Sequence, residues 1–135
     1  MREETRAAQG LIVRPQIFTL RNVGEAEKLL AFLVSLSVDQ RERQEVPALS
    51  EATHVRYELE PPRKEYWQTA RDTYQLGRGD CEDLSIYLCA DMQLRGLATS
   101  VRLKNVGYRK WHALVFMLCP KRGPIWIDPS KARGM

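Results

Sequence analysis

Residues 80–95, DCEDLSIYLCADMQLR, decide how the rest of the chain is read. Asp80 suits an N-cap, because its short side chain can accept a hydrogen bond from an N–H of the first helical turn. Asp83, three residues on, has the spacing of a capping box. Arg95 and Gly96 close the segment. Glycine enters the left-handed conformation that ends helices, and a cation suits the negative end of the helix dipole. Between these signals Leu84, Ile86, Tyr87, Leu88, Cys89, Ala90, Met92 and Leu94 make the helix apolar on more than one side. Such a helix is expected to be buried against a sheet.

The sheet follows. After Gly96 the apolar period changes to two, over residues 98–106 (Val101, Leu103), 111–118 (WHALVFML) and 125–127 (IWI), ending at Asp128-Pro129. These runs predict an antiparallel meander of three strands. Upstream, residues 24–43 read as a helix with Leu29, Leu30, Leu33, Leu36 and Ser37 on one face. Residues 10–20 (GLIVRPQIFTL) have strand composition broken by Pro15, which suits an edge strand or an extended arm. Residues 46–62 read as a connector with Pro47 and Pro61-Pro62, holding a short alternating strip at 56–60. Residues 65–74 are expected to form a short helix carrying Trp67, and Gly77-Arg78-Gly79 a loop. Helices first, then a buried helix, then a meander give an α+β layout. A chain of 135 residues is long enough for one domain with its own core.

Composition excludes several classes. Apolar residues are 44% and charged residues 28%, as in an ordinary globular protein and unlike a disordered one. Apolar stretches such as 113–119 fall far short of the roughly 20 residues that span a bilayer. The net charge of +4 is unevenly placed: residues 1–100 carry 13 Lys/Arg against 16 Asp/Glu, and residues 101–135 carry 8 against 1. The basic C-terminal third could meet phosphate, an acidic partner or an anionic surface, but a solvated basic face is the favoured reading. Protein partners, if any, would dock on this third or on the N-terminal arm. No dense basic block, interleaved aromatic platform or zinc-finger spacing supports nucleic-acid binding. The three cysteines, Cys81, Cys89 and Cys119, are odd in number and form no CxxC pair, which argues against a disulfide framework or a zinc site. The charged N-terminus lacks a signal-peptide pattern, so a cytoplasmic location is expected.

Cys81 falls in the first turn of the buried helix, where amide N–H groups and the dipole favour a thiolate. The same N–H groups suit an oxyanion. His112 lies on the second strand of the meander and Asp128 at the end of the third, so strand pairing can bring them together. Thiol, imidazole and carboxylate are the parts of a nucleophilic acyl-transfer site. Cys89 and Cys119, flanked by apolar residues, read as structural. His54 belongs to no motif.

Gly79-Asp80-Cys81-Glu82-Asp83-Leu84-Ser85 resembles the GDCED motif of the bacterial transglutaminase-like cysteine proteinases, within the wider transglutaminase-like, papain-fold superfamily. Trp67 resembles the tryptophan these domains carry before the nucleophile, and Leu94-Arg95-Gly96 the close of their nucleophile helix. Trp111-His112-Ala113 and Trp126-Ile127-Asp128-Pro129-Ser130 resemble their histidine and aspartate motifs. The separations of 31 and 16 residues suit the family, and the resemblance covers about residues 65–130.

The resemblance implies a papain-like core and a cysteine peptidase or amidase acting on a protein or peptide. Cys81 would be the nucleophile, His112 the general base and then acid, and Asp128 the residue that orients the imidazole. The second oxyanion donor is unassigned among Gln68, Tyr74 and Gln75. Amine transfer would use the same acyl-enzyme.

Asp80, Glu82 and Asp83 surround the thiol with carboxylates, which raises a thiol pKa. Pairing with His112, helix capping or pairing with Arg78 would relieve this. So would Ca²⁺ at Asp80 and Glu82, which match the calcium-binding positions of some larger relatives. A competing reading keeps the fold as a non-catalytic binding or assembly module, part of a phage-type particle and then virion-associated.

Overall fold

The computed structural model describes residues 11–13, 23–59, 65–107 and 110–135. Its elements, in order, are β1 (Leu11–Val13), α1 (Val23–Glu42), a 3-10 turn (Leu49–Glu51), β2 (Arg56–Tyr57), β3 (Glu65–Trp67), α2 (Ala70–Leu76), β4 (Arg78–Gly79), α3 (Cys81–Leu94), β5 (Thr99–Gly107), β6 (Lys110–Cys119), β7 (Gly123–Ile127) and a 3-10 turn (Lys131–Arg133). The architecture is α+β. The rest of the expected arm, at 14–20, and the Pro61-Pro62 connector lie outside the described residues.

α3 forms as its sequence dictates. Asp80 Oδ1 accepts from the N–H of Asp83 (3.2 Å), and Asp83 Oδ2 accepts from the N–H of Asp80 (3.1 Å), a reciprocal capping box. At the other end Gly96 takes φ +83°, its N–H donates to Gln93 O, and the N–H of Leu97 donates to Met92 O. That double bond pattern satisfies carbonyls the helix would leave open.

The meander is antiparallel in the order β5-β6-β7. Its inner face supplies Val101, Leu103, Ala113 and Val115 to a core shared with Leu30, Leu33 and Val34 of α1 and Ile86, Cys89 and Ala90 of α3. A second apolar cluster, Val46, Leu49, Ala52, Val55, Ala70, Leu84 and Tyr87, covers the opposite side of α3. The helix is therefore enclosed from both sides, which is why its polar residues stand only at its ends and at Ser85 and Asp91.

Three expectations are corrected. In α1 the buried stripe is Ala26, Leu30, Leu33, Val34, Ser37 and Gln40, while Leu29 is 44% exposed. The stripe is turned because Ser37 and Gln40 are needed inside. Ser37 Oγ accepts from the N–H of Ala70 (2.9 Å) and Gln40 Oε1 from that of Arg71 (2.9 Å), so α1 caps the start of α2.

The short helix expected at 65–74 is instead two elements. Glu65–Trp67 is a strand paired antiparallel with Leu11–Val13, and the helix starts only after Thr69, whose side chain caps it. Pairing with a strand some fifty residues away in sequence overrides the local preference. Likewise Arg78–Gly79, expected as loop, pairs in parallel with Arg56–Tyr57. Gly79 has to be glycine for space: a Cβ there would lie 2.7 Å from Asp83 Cβ.

Candidate active site

The first turn of α3 is held against the middle of the sheet by two side chains one helical turn apart. Cys81 Sγ accepts from the N–H of Ala113 (3.5 Å), and Ser85 Oγ donates to the carbonyl of Ala113 (3.2 Å). Residues i and i+4 share a helix face, so this spacing lets one helix grip both polar groups of one strand residue. The residue gripped is the one after His112. The β6–β7 ladder ends at Val115↔Ile127, and Asp128 follows at once. Asp128 Oδ2 lies 2.8 Å from His112 Nε2, while Asp128 Oδ1 accepts from the N–H of Ser130 (3.0 Å). Both carboxylate oxygens are thus engaged, which fixes the aspartate and through it the ring. The pair is largely sheltered, with side chains 17% and 15% exposed.

The three expected residues therefore share one locality. His112 and Asp128 are in direct contact, and Cys81 sits on the backbone next to the histidine. Tyr57, on β2, marks the same place. Burial, then the acidic groups of Cys81, Asp80, Glu82 and Asp128, raise its phenol above the ordinary value. Sequence reading gave Tyr57 no role, because a parallel pairing with β4 is what carries it there. It also passed over Ser85, although the four-residue spacing from Cys81 was legible. Of the donors considered upstream, Gln68 is committed elsewhere: its Nε2 donates to Thr73 Oγ1 (3.0 Å) and to Arg78 O (3.2 Å). Tyr74 packs edge-on against His54, and Gln75 is exposed.

The thiol departs from the expected thiolate. Cys81 is 8% exposed, and its Sγ donates to Glu82 Oε2 (3.0 Å). Burial, then the Glu82 charge, push the thiol up, against the lowering effect of the Ala113 N–H. Burial outweighs the helix dipole because the dipole is worth about 1 kcal/mol while desolvating a charge costs several. The resting group is a neutral thiol turned to a carboxylate. Asp80 and Asp83 cap the helix, as one relief route required. Arg78 does not join them and lies 3.8 Å from Glu58.

Asp80 and Glu82, the positions expected for calcium, each have one carboxylate oxygen engaged within the chain. Asp80 Oδ1 is spent on the cap and Glu82 Oε2 on the thiol. Among the described residues no group of three or more His, Cys, Asp or Glu is placed to hold a metal ion. Calcium takes six to eight oxygens.

One consequence is measurable. Glu82→Gln removes the adjacent charge, which lowers a thiol pKa by roughly 1–2 units. The thiolate fraction rises accordingly, and the lower basicity takes back about half the gain in logarithm. Iodoacetamide alkylation of Cys81 at pH 7.5 is expected to quicken about three- to tenfold over wild type, followed by peptide mass spectrometry. An unchanged rate would show that Glu82 does not restrain the sulfur.

Comparison with protein-family models, with curated proteins and with solved structures found no match to this chain. Among the described residues no helix is long and apolar enough to cross a membrane.

Proposed function

We propose that this chain is a cysteine-dependent acyl-transfer enzyme, a thiol peptidase or amidase with a Cys81–His112–Asp128 triad on a transglutaminase-like, papain-type core. The observation that carries the reading is the His112–Asp128 contact of 2.8 Å beside a cysteine in the first turn of a buried helix.

Asp128 holds Nε2 of His112, so Nδ1 is the nitrogen that serves the sulfur. Substrate entry draws the thiol from Glu82, and its proton passes to Nδ1. The sulfur then forms a bond to the substrate carbonyl carbon, and the carbonyl electron pair moves onto oxygen. N–H groups at the start of α3 face the resulting oxyanion, whose stabilisation is commonly the largest contribution to such catalysis. When the intermediate collapses, the C–N bond breaks and the amine leaves with the proton from the imidazolium. Water, deprotonated by His112, next attacks the thioester, and the acid departs as the thiol is restored. An amine in place of water would give transfer.

The neutral resting thiol fits this cycle, since a substrate-dependent proton transfer keeps the sulfur unreactive between turnovers. The test is trapping. An activated acyl ester, incubated with the protein and quenched in acid, is expected to leave an acyl group on Cys81 by mass spectrometry, and none on Cys81→Ala. Acylation confined to Cys119, the half-buried cysteine, would refute the reading.

A further inference from the structure

The outer face of the β5–β6–β7 sheet carries an arrangement that the triad does not use. Side chains alternate across a strand, and Ala113 and Val115 point into the core. His112, Leu114, Phe116 and Leu118 therefore stand on the other face, with Lys104 directly opposite His112, and Trp126 opposite Phe116. The Phe116 and Trp126 rings meet edge-on, centroids 5.0 Å apart. Arg102 lies over the Phe116 ring at 4.7 Å and Lys104 over the Trp126 ring at 5.7 Å. Trp126 is 45% and Leu118 59% exposed. The result is an aromatic strip with a cation over each ring, and it starts beside the imidazole.

We infer that this face reads the substrate, binding acidic polypeptides whose carboxylates pair with Arg102 and Lys104 while an apolar side chain seats against Phe116, Leu118 and Trp126. The inference rests on the acyl-transfer reading and names its substrate class. Charge complementarity decides the class. Residues 101–135 hold 8 basic groups and one acidic one, and that one, Asp128, is held by His112 and Ser130. Among the described residues no ion pair engages Arg102 or Lys104; Arg102 Nε donates only to Ser100 Oγ (3.1 Å).

Cations already ordered over rings lose less freedom when a carboxylate arrives. From Lys104 and His112 to Leu118 the strip runs six residues, about 20 Å, the length of about six extended residues. A carboxylate on Lys104 would lie beside His112. A single-stranded nucleic acid fits less well, because bases need open ring faces to stack on and here each ring already carries a cation.

The test uses full-length Cys81→Ala, so that binding is measured without turnover. Calorimetry is run with a capped hexapeptide alternating Glu and Leu, with its Gln-for-Glu and Lys-for-Glu counterparts, and with a hexathymidylate. The Glu peptide is expected to bind about tenfold tighter than the Gln peptide and to lose most of that advantage between roughly 0.05 and 0.5 M salt. Arg102→Glu with Lys104→Glu should turn the preference toward the Lys peptide. Equal binding of Glu and Gln peptides overturns the inference, as does tighter binding of the oligonucleotide. The salt series on the unaltered face decides the matter even if the double variant fails to fold. Acyl transfer to wild type that ignores peptide charge would remove this surface and leave the triad standing. Selective binding without acylation would remove the triad and keep the surface.

Discussion

His112→Ala is expected to lower kcat/KM for a fluorogenic peptide amide by about a thousandfold or more, with the fold intact. The expectation of an intact fold comes from the position of the ring. It is 17% exposed and belongs to neither apolar cluster. On the proposed mechanism the activity loss follows from its two tasks, taking the Sγ proton and returning it to the leaving amine. Glu82 is the nearest acceptor of the thiol proton, but it holds the sulfur in its neutral form. Asp128→Asn provides the sharper control. The amide can still meet Ser130 or His112, but it can no longer stabilise an imidazolium, so a fall of similar order is expected with unchanged thermal melting. Full activity in a stably folded His112→Ala protein would end the Cys81–His112–Asp128 triad, and no activity in the wild type would leave the binding or assembly module in its place.

The second large effect is on stability. Asp83 is completely buried, its Oδ1 accepts from the N–H of Gln68 (2.8 Å) and its Oδ2 from the N–H of Asp80. One carboxylate thus ties the end of β3 to the start of α3. Asp83→Ala leaves two buried N–H donors without an acceptor, each costing about 1–3 kcal/mol, and the loss of a buried charge offsets part of this. A net loss of about 2–4 kcal/mol is expected, which lowers Tm by roughly 8–15 °C in a chain of this size.

The pH dependence has a definite sign. Burial, then Asp80, raise the Asp83 carboxyl above its ordinary value. A raised folded-state value means that this group's contribution is fully present below the unfolded carboxylate pKa of about 3.9 and is lost as pH rises through the folded value. The Tm deficit of the variant should therefore be larger at pH 4 than at pH 8, by calorimetry. A deficit that grows with pH would contradict the assigned direction.

Much of the molecule was readable from local chemistry. The capping box at Asp80 and Asp83, the glycine stop at Gly96 and the alternation through β5, β6 and β7 depend on neighbours within a few residues, so the chain spells them directly. The pairing of His112 with Asp128 was readable too, because adjacent strands of a meander leave few registers open. Other features depend on partners remote in sequence. Trp67 sits on a strand and not a helix because Leu11–Val13 pairs with it, and Tyr57 reaches the site because β2 lies beside β4.

The state of the Cys81 sulfur was decided chiefly by tertiary structure, because burial is the larger cause and the Glu82 charge the second. Sequence gives a helix start, which favours a thiolate, and neighbouring carboxylates, which oppose it. Which effect prevails depends on burial, and burial is set by the whole core. The strip of rings and cations was equally hidden, since Arg102, Lys104, Phe116 and Trp126 lie far apart along the chain and meet only across strands. Local order and strand succession were written in the residues. Charge state and surface chemistry arose only once distant segments shared a low-dielectric interior and a common face.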